Sequence, residues 1–312
     1  MKQTIKRIFV TGATGFIGSS LITALMADGY EIGILIRKGS DLSRISEIID
    51  SISVYSGDVR DGDEISRIIG VFKPDALLHL VTYYAVEHVS QDIGVMVDTN
   101  VKGTINLLDA SRIHGVKLFV NTSTCAVYGQ KDRPLKETDP VSPQNLYAVT
   151  KLQAEDVCRF YAYNYGVDGI TLRLFPPYGP GDHKRRLIPY VITSLLENKS
   201  PNLTTGKQHW DFVYIDDIVN AYRAVLIAYP FISSYDEINI GTGKPASIRD
   251  VILTIKQMTG SECELLWGTV PHRKNEVWFN SADITKASRL LGWTPVISLH
   301  DGLQKTIQSK KW

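Results

Sequence analysis

A glycine-rich turn near the start of the chain limits the possible folds more than any other feature. Residues 8–11 form an apolar, β-forming run, and this run breaks at Gly12. An apolar-periodic segment containing Leu21, Ile22 and Leu25 follows. This order predicts a strand, a tight turn and a helix. Because such a helix begins with unpaired N–H groups and the positive end of its dipole, it suits a diphosphate. The stretch therefore predicts a dinucleotide-binding fold.

The first two glycines of this turn, Gly12 and Gly15, lie one residue further apart than the first two glycines of the usual dinucleotide fingerprint. Glycine lets the backbone turn sharply and lets a ligand approach the main chain closely. The wider form resembles the short-chain dehydrogenase/reductase superfamily, in particular its extended branch, whose members act on sugar nucleotides. The resemblance implies that the cofactor contacts the residues of the turn, which are Gly12, Thr14, Gly15, Phe16, Ile17 and Gly18.

Composition excludes several other classes of protein. Of the 312 residues, 44% are hydrophobic and 21% are charged, which is typical of a globular protein, and the net charge of +1 favours neither nucleic acid nor a membrane as partner. Cys125, Cys158 and Cys263 are widely spaced, so we expect no disulfide framework, no metal site and a reducing cytoplasm. The first strand leaves no room for a signal peptide, and no apolar run is long enough to span a bilayer.

The predicted elements indicate two lobes. Alternating strands and helices over residues 1–175 predict a doubly wound parallel α/β sheet, the Rossmann fold. Residues 176–312 mix helices with short strands, among them residues 212–215 and 238–241. We expect these to form a smaller, mixed α/β lobe that covers the carboxyl ends of the strands and binds the substrate. The resemblance implies that the chain crosses between the lobes.

The end of the second predicted strand indicates which cofactor is bound. An acidic residue there holds the ribose hydroxyls of NAD, whereas a nearby arginine accommodates the 2′-phosphate of NADP. This chain has Arg37 and Lys38 there and no carboxylate. The sequence therefore favours NADP(H) over NAD(H), since a guanidinium matches phosphate geometry well. The alternative is that both cations simply face solvent.

Further cofactor contacts are implied by the resemblance alone. It places Asp58 at the adenine and adds Val59 and Leu80 to the cofactor site. It also makes Asn100 a contact of the cofactor and a residue that holds the active-site backbone in place. For Asp58, or for Asp61 beside it, the alternative is that the carboxylate caps the next helix, because Asp is a preferred N-cap residue.

Tyr147 and Lys151 are the candidate proton-transfer pair. They lie four residues apart on a helix predicted near residues 146–165, so they share one face. A lysine ammonium beside a phenol stabilises the phenolate, and we therefore expect the pKa of Tyr147 to be lowered. The resemblance implies Thr124 as the third partner, which hydrogen-bonds the reacting oxygen. Ser123 is the neighbouring candidate for contact with the substrate. The alternative is that these hydroxyls merely end a strand.

The substrate residues are also implied by the resemblance. Arg186 and Arg273 stand where related enzymes grip a nucleotide diphosphate, a role that guanidinium groups suit. Trp210 stands where arginine is common in relatives, so its indole either stacks on the nucleobase or belongs to the core. Cys125 and the following alanine occupy positions where 4,6-dehydratases carry carboxylates. The loss of these acids argues against dehydration.

Residues 275–293 look most similar to CDP-abequose and CDP-paratose synthases. This resemblance predicts an enzyme that uses NADPH to reduce the 4-keto group of an NDP-4-keto-6-deoxyhexose. Tyr147 then protonates the C4 oxygen and Thr124 holds that oxygen. Lys151 assists Tyr147 and binds the nicotinamide ribose, so Tyr147 and Lys151 also contact the cofactor. A nucleotide-sugar 4-epimerase that uses NAD is the alternative, and a non-catalytic NADP(H)-binding sensor is a third. The resemblance also implies a homodimer formed through helices near residues 95–113 and 146–165.

Overall fold

The computed structural model describes residues 4–85 and 87–309. The strands, in chain order, are β1 (Arg7–Thr11), β2 (Glu31–Ile36), β3 (Ser53–Ser56), β4 (Ala76–His79), β5 (Leu118–Thr124), β6 (Asp168–Leu174), β7 (Pro177–Tyr178), β8 (Asn202–Leu203), β9 (His209–Trp210), β10 (Val213–Tyr214), β11 (Tyr235–Ile240), β12 (Ala246–Ser247) and β13 (Leu266–Trp267). The α-helices are α1 (Phe16–Ala27), α2 (Gly62–Phe72), α3 (Ser90–Val97), α4 (Gly103–His114), α5 (Leu146–Tyr165), α6 (Leu187–Leu196), α7 (Ile215–Ala228), α8 (Ile248–Thr259), α9 (Thr285–Leu291) and α10 (Leu299–Gln308).

A seven-stranded parallel sheet forms the centre of the molecule, in the order β11-β6-β5-β4-β1-β2-β3. In β1, which lies between β4 and β2, Ile8 and Val10 enter one apolar cluster and Phe9 enters another. This alternation follows from the two-residue period of a strand that is covered on both faces. Helices α1 and α7 pack together, as do α2, α4 and α5. The predicted doubly wound Rossmann sheet is confirmed.

The last strand of the sheet comes from a later part of the chain than the sequence indicates. We predict residues 238–241 to be part of the smaller lobe, and this is wrong for residues 238–240. They belong to β11, which pairs with β6 in parallel, Ile238 opposite Leu172 and Ile240 opposite Leu174. Burial explains the placement, because the last three residues of β11 are all covered. The chain therefore returns to the main sheet after entering the second half.

Shorter elements follow β6. They include three two-stranded sheets, β7 with β10, β9 with β12 and β8 with β13, while α6 packs on α8. An isolated bridge joins Leu135 to Ala282, so the second half also contacts the loop after β5. The division at residue 175 stays a prediction. Within the part of the chain that the structure describes, no helix combines the length and apolar character needed to cross a bilayer.

Two helices carry the central residues of the site. The predicted helix 146–165 is α5, which begins where the Asn145 side chain accepts a hydrogen bond from the Ala148 N–H at 2.8 Å and ends at Gly166 in the left-handed region. The helix predicted near residues 95–113 starts earlier. It runs as α3, a π-helical turn (Asp98–Lys102) and α4, without a break. π-helical turns are frequent at functional sites.

Candidate active site

The glycine turn joins β1 to α1 as predicted and has the geometry of a phosphate cradle. Gly12 has a φ of +75°, and a Cβ atom there would lie 2.9 Å from the Leu80 carbonyl carbon and the Val81 nitrogen. At Gly18 a Cβ would lie 2.1 Å from the Gly12 carbonyl oxygen. Gly15 caps α1 without a side-chain hydrogen bond, and no acidic residue stands in the first turn of this helix. The amides of that turn are thus free of side-chain caps, which suits a diphosphate.

Leu80 directly follows β4 and lies against this turn, as its close approach to Gly12 shows. Thr14, Phe16 and Ile17 are partly exposed on the turn, and Gly15 is exposed. The structure therefore brings together all of the turn residues that the sequence predicts for the cofactor.

A groove of about 500 Å³ lies at the ends of β2 and β3. It is lined by Arg37, Lys38, Ser40, Asp58 and Arg60, among others. The Arg60 guanidinium donates to both oxygens of Asp58, at 3.0 and 2.7 Å. This fork lowers the pKa of Asp58 below its usual value, and the more distant Arg37 charge acts in the same direction. The sequence analysis missed Arg60, although its position two residues after Asp58 was a usable signal.

The next two predicted cofactor residues differ in what they do. Asp61, not Asp58, caps α2, because its carboxylate accepts from the Glu64 N–H at 3.0 Å. Val59 is buried in the apolar cluster that contains Phe9, and its carbonyl accepts from Asn106 at 2.8 Å. The side chain of Val59 thus packs in the core.

Asn100 joins the loop after β4 to α5. Its side-chain oxygen accepts from the Tyr83 N–H at 2.7 Å, and its side-chain nitrogen donates to the Tyr83 carbonyl and to the Thr150 hydroxyl, each at 3.0 Å. Asn100 lies in the π-helical turn and is buried. This places it where it fixes the loop backbone next to the helix that carries Tyr147. Direct contact between Asn100 and a cofactor stays a prediction.

Thr124, Tyr147 and Lys151 converge at the carboxyl end of β5. Thr124 is the last residue of that strand, and its hydroxyl is close enough to Tyr147 to lower the pKa of the phenol. Tyr147 is the second residue of α5 and is only 8% exposed, whereas Lys151 is one turn further along and is 2% exposed. The three residues predicted for proton transfer are therefore together at the sheet edge where open α/β sheets bind ligands.

The charge state of Tyr147 differs from the prediction. We expect Lys151 to lower the pKa of Tyr147, but burial raises it well above its usual range. The largest opposing effect on the pKa of Tyr147 is the Arg186 charge, and the Thr124 hydroxyl acts in the same direction. Burial also lowers the pKa of Lys151 to about 8. Since neither group is solvated, both pKa values shift towards the neutral form.

The side chain of Ser123 lies on the opposite face of β5 from that of Thr124. It is 3% exposed, and its hydroxyl donates to Glu155 on α5. Adjacent residues of a strand point to opposite faces, which explains why Thr124 reaches Tyr147 and Ser123 does not. The structure does not bring Ser123 to the side where a substrate would approach Tyr147.

Arg186 contacts Tyr84, which in turn contacts Tyr147, and the sequence analysis missed Tyr84. The Tyr84 ring stands edge-on to the Tyr147 ring with centroids 4.8 Å apart, and the Arg186 guanidinium lies 5.7 Å from the Tyr84 centroid. Tyr84 is 54% exposed, so one part of its ring faces solvent while another part contacts the buried Tyr147. Arg186 also lies 3.7 Å from the buried carboxylate of Asp182.

The other two predicted substrate residues lie further along the chain. Arg273 forms an ion pair of 3.2 Å with Glu87, which follows β4 in the same loop as Tyr84. Both predicted diphosphate arginines thus contact this one loop. Trp210 is half-buried, packs on Phe212, and its indole N–H donates to the Val277 carbonyl at 2.8 Å. These contacts are those of a packed tryptophan, and stacking on a nucleobase stays a prediction.

His79 is a buried core residue. Its two ring nitrogens hydrogen-bond Thr11 at 2.8 Å and Thr104 at 3.1 Å, and burial lowers its pKa to about 3. Over residues 4–85 and 87–309 no cluster of metal-ligating side chains is found.

This combination of fold and site is characteristic of a known group of enzymes. The NAD dependent epimerase/dehydratase family matches residues 8–241, and the chain belongs to that family. The predictions of the family and of an NAD(P)-dependent enzyme are confirmed. The chain is 29% identical to the CDP-abequose synthase of Salmonella typhimurium, with 96% of this chain and 97% of the relative covered.

Two further relatives are epimerases. The UDP-glucuronate 4-epimerase of Thermodesulfobacterium geofontis is 32% identical, with 97% of this chain and 95% of the relative covered. The crystal structure of a UDP-glucuronic acid 4-epimerase from Bacillus cereus, in complex with UDP-glucuronic acid and NAD, has a TM-score of 0.87 at 30% identity, with 97% of this chain and 98% of that chain covered.

Proposed function

We propose that this chain is a nucleotide-sugar 4-ketoreductase that uses NADPH to reduce an NDP-4-keto-6-deoxyhexose. The observation that carries the proposal is the groove at the ends of β2 and β3, a cationic groove in which three cations face the two carboxylates of Asp58 and Glu64. Arg37, Lys38 and Arg60 line it, and the end of β2 offers no carboxylate for ribose hydroxyls. A site that selects NADPH suits net reduction, whereas an epimerase must recover its cofactor in every cycle. The likeness to CDP-abequose synthase supports the same proposal.

The residues present fit NADP(H). The Gly12 turn leaves room for a backbone contact with a diphosphate, the uncapped start of α1 provides amide donors, and the cationic groove suits a 2′-phosphate. When bound, NADPH supplies the hydride that reduces the ketone. We assign the nicotinamide ribose to Lys151, because its buried ammonium lies one helical turn beyond Tyr147.

The residues of the chain supply the proton and the orientation. Tyr147 donates its phenolic proton to the C4 oxygen as negative charge develops there, and Thr124 donates a hydrogen bond to the same oxygen. The raised pKa of Tyr147 keeps its proton in place at neutral pH, which suits a proton donor. Arg186 and Arg273 bind the diphosphate, and Tyr84 lies along the path between Arg186 and Tyr147.

The second candidate is a nucleotide-sugar 4-epimerase that uses NAD. It is favoured by the two UDP-glucuronate 4-epimerase relatives, one of which was crystallised with NAD. The same three residues would serve it, but Tyr147 would first have to accept a proton from the sugar. Because the pKa of Tyr147 is raised, this residue is protonated at neutral pH. A bound ligand would therefore have to lower that pKa before Tyr147 could accept a proton. A non-catalytic sensor is the third candidate, and the presence of both Tyr147 and Lys151 opposes it.

The test begins with the cofactor content of the purified protein. NADPH absorbance is then followed with NDP-4-keto-6-deoxyhexoses carrying CDP, dTDP, GDP or UDP. We expect stoichiometric loss of NADPH with at least one of them, and Tyr147→Phe should lower the rate by about 10²–10⁴-fold while NADPH still binds. Tightly held NAD and interconversion of two NDP-hexoses without net redox change would instead establish the epimerase.

We also propose a homodimer formed through α4 and α5. Apolar side chains on both helices are exposed in the single chain, including Ile113 and Phe160. Exposed apolar patches of this kind are typical of interfaces.

A further inference from the structure

A buried ion pair lies directly behind the three proton-transfer residues. Glu155 is 0% exposed and Arg173 is 2% exposed. The Arg173 guanidinium donates to Glu155 Oε2 at 2.6 Å from Nη2, and its Nε lies 3.1 and 3.2 Å from the two carboxylate oxygens. A pair of this kind costs so much desolvation that apolar residues often stabilise a core equally well. Its presence here therefore calls for a role other than stability.

The pair connects the elements that carry the site. Glu155 is on α5, one turn beyond Lys151, and it accepts from Ser123, the neighbour of Thr124 on β5. Arg173 is on β6 and donates to the Tyr128 hydroxyl at 2.9 Å. The position of α5 relative to the end of β5 is thus fixed through one carboxylate.

Glu155 and Lys151 are both buried and lie four residues apart on α5, so they share one face of that helix. Burial disfavours the Lys151 ammonium, while Cys158 and Glu155 on the same helix oppose that effect. Burial raises the pKa of Cys158 above its usual range, so at neutral pH its thiol is uncharged. His79 on β4 also faces Lys151, and its pKa of about 3 leaves it uncharged. On β6 the facing charge is Arg173, which is paired with Glu155. Tyr147, one turn back, keeps its proton.

We infer that Glu155 is a positioning residue: its carboxylate, held in place by Arg173, keeps the Lys151 ammonium charged and fixes α5 against the end of β5. The role of Lys151 towards the cofactor rests on the proposed function, whereas the effect of Glu155 on the charge of Lys151 does not.

The experiment measures the titration of Lys151 in the full chain and the pH profile of turnover. Lysine labelled with ¹³C at Cε reports each ammonium by NMR, and the Lys151 signal is assigned by its absence in Lys151→Met. In Glu155→Gln the titration of Lys151 should move to lower pH by about one unit, since a facing anion is lost. The high-pH limb of kcat should move in the same direction.

Two variants separate this role from simple support of the fold. Arg173→Lys keeps the charge but loses the fork, so the melting temperature should fall while the Lys151 titration stays within about 0.3 units of the wild type. Glu155→Gln combined with Arg173→Met removes the pair without leaving an unpaired charge. The shift of the Lys151 titration should persist in this double variant, which also carries the test if Glu155→Gln does not fold.

A double variant that folds and titrates like the wild type would overturn the inference, because Glu155 would then serve only to balance Arg173. Since the NMR titration needs no turnover, its result stays separate from that of the proposed function. A shifted titration in a protein that reduces no ketosugar would support the inference and refute the reductase.

Discussion

Tyr84 lies between Tyr147, the proposed proton donor, and Arg186, the arginine that we propose for the diphosphate. Its ring contacts Tyr147 edge-on and lies under Arg186, yet more than half of its surface is exposed. Its backbone neighbour Tyr83 is anchored at both N–H and carbonyl by Asn100. The ring is therefore held in position by contacts that do not involve its own hydroxyl.

We predict that Tyr84→Ala lowers kcat/KM for the nucleotide sugar by about tenfold, since an aromatic contact is worth roughly 0.5–1.5 kcal/mol beyond its buried area. Tyr84→Phe keeps the ring and should lie within about twofold of the wild type. Steady-state kinetics with the sugar varied at saturating NADPH measures both. Equal losses in the two variants would show that the hydroxyl matters, not the ring.

Arg37 is the residue at which the choice of cofactor is tested. Its side chain is exposed in the groove, so a 2′-phosphate can reach it, and a hydrogen bond to a charged group contributes about 1.5–3 kcal/mol. Arg37→Ser should therefore lower kcat/KM for NADPH by about 10–100-fold and leave that for NADH nearly unchanged. Lys199→Ser, at an exposed lysine after α6 that pairs with Glu197, is the matched control. Loss with both cofactors alike would contradict a 2′-phosphate contact.

At the scale of elements, the turn between β1 and α1 depends on close packing. An alanine Cβ at position 18 would lie 2.1 Å from the Gly12 carbonyl oxygen and 2.8 Å from the Ala13 Cα, both of them backbone atoms. Because backbone atoms cannot rotate away, α1 must shift, and overpacking of this kind typically costs about 1–3 kcal/mol.

Gly18→Ala should accordingly lower the melting temperature by several degrees and weaken NADPH binding, as measured by thermal unfolding with and without cofactor. Gly94→Ala is the control, since a Cβ there meets open space within α3. Alanine is the better helix former by about 1 kcal/mol, so this variant should be as stable as the wild type or more so. If both variants melt alike, the close packing at the turn is not what the stability depends on.

The elements also show how far the sequence alone can predict this protein. The glycine turn and α5 are set by local patterns, so their positions follow from the sequence, as does the four-residue spacing of Tyr147 and Lys151. The place of β11 depends on pairing with β6, some 60 residues earlier, and no local pattern specifies it. The pKa of Tyr147 depends mainly on how deeply the side chain is buried. The contact of Tyr84 with Tyr147 depends on the conformation of the loop after β4. Neither can be obtained from spacing.

At the scale of the whole molecule, the surface of α4 and α5 remains to be explained. Ile105 and Ile113 on α4 and Phe160, Tyr163 and Tyr165 on α5 are all more than a third exposed. The rings of Phe160 and Tyr165 pack edge-on with their centroids 5.5 Å apart, so the two side chains form one continuous aromatic surface. A stable dimer typically buries about 800 Å² on each partner, and the faces of two such helices are long enough to provide it.

We predict a homodimer by light scattering coupled to size-exclusion chromatography, and a monomer at micromolar concentration for Phe160→Glu, because a buried, unpaired carboxylate at an interface costs several kcal/mol. Ile227→Glu is the control. That residue is 72% exposed on α7, which packs on α1 and α9, so the variant should remain a dimer. Since Lys151 and Tyr147 are on α5, NADPH binding by the Phe160→Glu monomer shows whether dimerisation also orders the site. A wild-type monomer, or a dimer that Phe160→Glu leaves intact, would place the interface elsewhere.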